Sequence, residues 1–139
     1  GIIMLLPSEI ESKSLIPAIR AILSKRLIRD YDLKEETVAK LLGITQAAVS
    51  NYIRGTRGDL SLVAKLEDNF EVMKMINDIS KDLSTNNAYS PSTMTKFIQL
   101  CNFMRYTFII CDVHHSIESN IDKRICEQCE VLLTGSRFS

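Results

Sequence analysis

From Leu15 to Asp30, apolar residues return every three or four positions, at Ile19, Ile22, Leu23 and Leu27. That spacing lines one face of a helix of 3.6 residues per turn, so the segment predicts a first long helix. Pro17 fits its first turn, where a missing N–H costs little. Arg20, Lys25, Arg26 and Arg29 fall on the other faces. "YDLKEE" predicts a second helix near Lys34, whose early acids suit the helix dipole. Gly43 breaks it after Leu42, and Thr45 is placed to cap a third helix running to about Ile53. Gly55 and Gly58 in "RGTRGD" end that helix.

Leu62, Leu66, Met73, Ile76 and Leu83 then share a face of one helix or two, with a weak point at Asp68 and Asn69. Pro91 opens a further helix through Arg105, with an apolar stripe at Met94, Phe97, Ile98 and Cys101. "YTFII" (106–110) is β-branched and aromatic and is expected to be a short extended piece. Few runs alternate apolar with polar, so the expected class is mainly α.

The turn-rich stretch "STNNAYSPST" (84–93) marks a boundary. The expected division is residues 8–70, a helical connector and linker over 71–90, and a cysteine-rich segment over 91–139. With 139 residues the core is limited, so metal ligation or dimerisation would help it. "GIIMLLPSE" is too short to cross a bilayer and lacks the marks of a signal peptide. A soluble, cytoplasmic chain with no membrane partner is expected. In a reducing compartment, four cysteines point to metal or redox chemistry more than to a disulfide framework.

Net charge is zero, but it is unevenly spread. Residues 13–58 hold nine Lys and Arg against four acids, a net of +5. Residues 59–90 carry a net of −3, and residues 91–139 balance. A basic segment in a neutral chain can meet phosphate without making the whole protein adhesive.

Inside that basic segment, two short helices meet at a sharp turn. Ala39 allows close approach, Gly43 tolerates a left-handed backbone, and Val38, Leu42, Ile44, Val49 and Tyr52 supply the inner faces. Gln46, Ala47, Ser50, Asn51 and Arg54 leave the outer face of the second helix small and polar, as entry into a major groove requires. Gln and Asn can pair with adenine, Arg with guanine, and an alanine methyl can meet a thymine methyl.

"VAKLLGITQAAVSNYIRGTRG" resembles the helix-turn-helix of lambda-repressor-type (XRE) regulators at the small, glycine and apolar positions together. The resemblance implies a five-helix DNA-binding domain over about residues 8–70, with a recognition helix from Gln46 to Ile53. By family position, Thr45, Gln46, Ala47, Ser50, Asn51 and Arg54 would face double-stranded DNA. One recognition helix reads few bases, so a homodimer on a roughly palindromic site is expected.

In "CDVHHSIESNIDKRICEQC" two residues separate Cys111 from His114, and two separate Cys126 from Cys129. Such spacing lets a short turn aim both side chains at one ion. Two ligand sets are open. Cys101, Cys111, Cys126 and Cys129 would hold an iron–sulfur cluster, employing every cysteine and giving a regulator a redox or iron signal to sense. Cys111, His114 (or His115), Cys126 and Cys129 would instead make a structural zinc site, leaving Cys101 as a core thiol. His115 is otherwise expected to be a solvated neighbour of His114. The whole chain also resembles small archaeal predicted transcriptional regulators, through "LIPAIRAIL", "LLGITQAAVSNYIRG" and the C-terminal cysteines. Met104 stands where that group tends to carry a further cysteine. No phosphate loop, nucleophile elbow or acidic pair accompanies these residues, so the expectation is a regulator and not an enzyme. A protein-interaction adaptor is the remaining alternative.

Overall fold

The computed structural model describes residues 5–86, 90–118 and 120–135. Helices dominate them, and no strand occurs among them. None of their helices is long and apolar enough to cross a membrane. The helices are α1 (Pro7–Ile10), α2 (Ile16–Arg29), α3 (Glu35–Leu42), α4 (Gln46–Arg54), α5 (Leu60–Glu67), α6 (Phe70–Thr85), α7 (Pro91–Tyr106), α8 (Ile109–Ile117) and α9 (Lys123–Gly135).

The first long helix starts earlier than its apolar stripe predicts. A π-helical turn over Glu11–Leu15 joins α1 to α2, and the Ile16 N–H donates to the Glu11 carbonyl. Pro17 explains the wider turn. It offers no N–H, and its ring would press on the carbonyl four residues back. A bulge just before it relieves that crowding. Glu11 is buried within this turn, where Arg105 Nε and Nη2 both donate to its Oε2, at 3.2 and 2.5 Å. This pair ties the N-terminal helix to α7 across 94 residues of sequence.

The stretch with Leu62 to Leu83 on one face is two helices. Asn69 caps the second, its Oδ1 accepting from the Val72 N–H at 3.0 Å. "YTFII" is not extended. Tyr106 ends α7, Phe108 turns the chain with a left-handed backbone (φ 61°), and Ile109 opens α8. An isolated strand would leave its backbone groups unpaired. The helical course instead buries Ile110 and Val113. Tertiary packing outweighs local β propensity here.

Buried side chains form one contiguous cluster from Ile10 to Val113. The turn-rich stretch separates α6 from α7 in sequence, yet the two helices pack on each other. Asp82 locks them: Lys96 Nζ donates to its carboxylate at 2.7 Å, Ser92 Oγ at 2.8 Å and Thr93 Oγ1 at 3.3 Å. The Lys96 bond, then the Ser92 bond, hold the Asp82 carboxyl below its ordinary pKa.

Two consequences are testable by urea unfolding. The stability that Asp82 contributes is fully present above its unfolded pKa of about 4 and is lost as pH falls through the lower folded value. Asp82→Asn should therefore flatten the acid limb of the stability curve. Ser24 is fully buried in α2, and its hydroxyl has no hydrogen-bond partner among the described residues. Ser24→Ala should raise stability by about 1 kcal/mol, and a lower midpoint would show that the hydroxyl is bonded.

Candidate nucleic-acid interface and thiol cluster

Gly43, Ile44 and Thr45 join α3 to α4. Gly43 adopts φ 66° and ψ 34°, a conformation costly for residues with a Cβ. Thr45 then caps α4, its Oγ1 accepting from the Ala48 N–H at 3.0 Å. Ala48, Val49 and Tyr52 are buried, which fixes the inner face of α4. The outer face follows from the helical period. Thr45, Gln46, Ala47 and Arg54 are exposed, and Ser50 and Asn51 are half-buried at its margin.

Arg54 Nη2 donates to Asn51 Oδ1 at 2.7 Å. One Asn51 lone pair is therefore committed to aiming the guanidinium. The backbone carbonyl of Asn51 accepts from the Thr56 N–H at 3.0 Å, which brings the loop after α4 back onto the helix. In that loop, Arg57 lies 5.5 Å from the centre of the Tyr52 ring, a cation–π distance. Sequence reading counted Arg57 only as charge. The sequence signal for its partner is Tyr52, five positions back on the last turn of α4. Among the described residues, neither Arg54 nor Arg57 forms an ion pair with an acid. Their charge stays available to an outside anion.

The four cysteines divide three to one. Cys101 lies on α7, lining a cavity of about 460 Å³ with Glu11 and Arg105. Burial, then the Glu11 charge, push its thiol up to about 11. The other three face a second cavity, of about 630 Å³, between α8 and α9. Cys126 Sγ is 3.5 Å from His115 Nε2. Cys129 is raised by burial and by the neighbouring Cys126, while a hydrogen bond with Cys111 pulls it the other way. Burial, then Cys129 and Cys126, raise Cys111 to about 11.

The residues as arranged do not fit a four-thiolate cluster, because Cys101 belongs to the other cavity. Nor, among the described residues, do three His, Cys, Asp or Glu side chains already stand around one point where an ion could sit. His114 lines the same cavity as Cys111, Cys126 and Cys129. Its side chain is 14% exposed, and Nε2 stands 3.3 Å from Glu118 Oε2 in a geometry short of a hydrogen bond. The other Glu118 oxygen accepts from the Leu5 N–H at 3.3 Å, which draws the N-terminal segment over the same cavity. His115, expected to be a solvated neighbour, is exposed yet reaches Cys126.

No protein-family model, curated protein or solved structure matches the chain.

A thiolate-seeking alkylating agent should modify Cys101 slowly at neutral pH, with the rate climbing as pH approaches about 11. Mass mapping of the modified peptide over a pH series reads this. Rapid labelling at pH 7 would contradict the buried placement.

Proposed function

We propose that the chain is a sequence-specific DNA-binding transcriptional regulator. In this reading α3 and α4 form a helix-turn-helix, and α4 enters the major groove. The observation that carries it is the outer face of α4, where exposed Gln46, Ala47 and Arg54 stand over a fully packed inner face. A helix that only packed would have no need of a small, polar, acid-free outer row. Gln46 can offer one donor and one acceptor to adenine, Arg54 two donors to guanine, and Ala47 a methyl contact. Thr45 and Ser50 lie where hydroxyls can hold phosphates, and Arg57 adds charge beside them. Asn51 orients Arg54 through the 2.7 Å bond.

Two copies on a two-fold related site would supply the specificity that one helix of nine residues lacks. The exposed apolar residues of α9, Ile125, Val131 and Leu132, are candidates for contact between copies. Cluster-based redox sensing finds no support in the arrangement of the thiols, so the regulator reading stands on the DNA interface.

Selection of duplexes from a random pool, followed by fluorescence anisotropy over a salt series, tests the proposal. A preferred sequence should emerge, and binding should weaken as salt rises. Arg54→Ala should lose about 5- to 150-fold in affinity for that sequence, the span of one bidentate base contact. If the variant binds as well as the parent, or no sequence is selected at low salt, the assignment of α4 fails.

A further inference from the structure

Helix α7 is apolar on two faces, and the core covers one of them. Leu100 and Met104 are buried in the central cluster. Met94, Ile98 and Cys101 return at helical spacing on the other face. Phe97 and Cys101 pack half-buried against the core, but Met94 is 46% exposed and Ile98 54%. This second face lines the cavity of about 460 Å³ that α7 forms with α2 and α3. Ile19 and Leu42, both buried, contribute the opposite walls. Small-molecule sites occupy roughly 300 to 1,000 Å³ and combine apolar walls with a few polar groups. An exposed apolar patch beside polar residues marks such grooves more often than a scattered Leu does.

The polar groups of this cavity are few. Arg105 donates to Glu11 from Nε and Nη2, so those two charges cancel. Arg20, on α2, is half-buried and forms no ion pair with an acid among the described residues. Asn102 adds an uncharged amide. The cavity therefore carries one uncompensated cation on apolar walls, which favours an anion.

We infer that the cavity between α2, α3 and α7 binds a small carboxylate with an alkyl or aryl body. The Arg20 guanidinium matches a carboxylate with two parallel N–H···O bonds. The apolar body would cover Ile19, Leu42, Phe97 and Ile98. A wholly apolar occupant would take water from Arg20 and return no hydrogen bond, which costs free energy. An inorganic anion would leave the apolar walls wet. Leu42 directly precedes Gly43, so an occupant would touch the turn that aims α4. The inference stands independently of DNA binding.

Octanoate is the probe, with octanamide as its uncharged counterpart, added to the reduced full chain and followed by calorimetry. One octanoate per chain should bind, at least about tenfold more tightly than octanamide, the lower end of what a hydrogen bond to a charged group contributes. Arg20→Gln should remove that difference. Ile98→Asp, which sets a like charge in the wall, should abolish octanoate binding. Neither side chain is buried, so both variants should keep their helical circular dichroism. Bound octanoate should also slow alkylation of Cys101 at about pH 9 and leave Cys126 unprotected. The inference is overturned if octanoate does not bind at millimolar concentration, if octanamide binds as well, or if Arg20→Gln leaves their difference intact. Protection of Cys126 and not Cys101 would place the ligand in the α8–α9 cavity and overturn it too. So would a dimer that Ile98→Asp dissociates while the parent binds no octanoate, since a second copy would then cover this face.

Discussion

The burial of α2 on nearly every side is the constraint on which the rest depends. Ala18, Ile19, Ala21, Ile22, Leu23 and Leu27 are all 3% exposed or less, more than one stripe of a surface helix would supply. Helices α3, α4, α5 and α6 pack around it. Ala18 and Ala21 keep those approaches close, because the distance between helix axes is set by the side chains at the contact. A helix of nine residues such as α4 has little stability of its own in water. Its direction is therefore set by what Val49 and Tyr52 pack against. Its outer face inherits that direction, and the candidate interface is a consequence of the core.

Leu100, Met104, Ile110 and Val113 carry the second half of the chain into this core, and two polar links reinforce the joint. Glu11 and Arg105 hold α7 to the π-helical turn, and Asp82 holds the start of α7 to the end of α6. Beyond α7, packing thins toward α9, where Ile125, Val131 and Leu132 are exposed.

Much of the first half was legible in the sequence, because its signals are local. Gly43 and Thr45 state a turn and a cap by their own chemistry, and both stand where expected. The weak point at Asp68 and Asn69 became a real break, for Asn69 is a strong cap. The failures were non-local. Pro17 read as a helix start, but the chain before it had enough buried contact, through Ile10 and Leu15, to stay helical around the bulge. "YTFII" read as extended on propensity, but it had no partner strand. The sequence left His114 and His115 both open beside Cys111, and spacing along the chain does not choose between them. His115 comes to 3.5 Å from Cys126 through the register of α8 against α9. That register depends on helix packing, which one sequence does not spell out.

The central claim is that α4 presents its outer face to DNA. Amide chemical-shift mapping during titration with a selected duplex tests it most directly. The account predicts that the large changes gather at Thr45–Arg54 and the loop through Arg57, with the buried amides of α2 little moved. Changes centred on α9 or on the α7 cavity, with residues 45–57 silent, would contradict it.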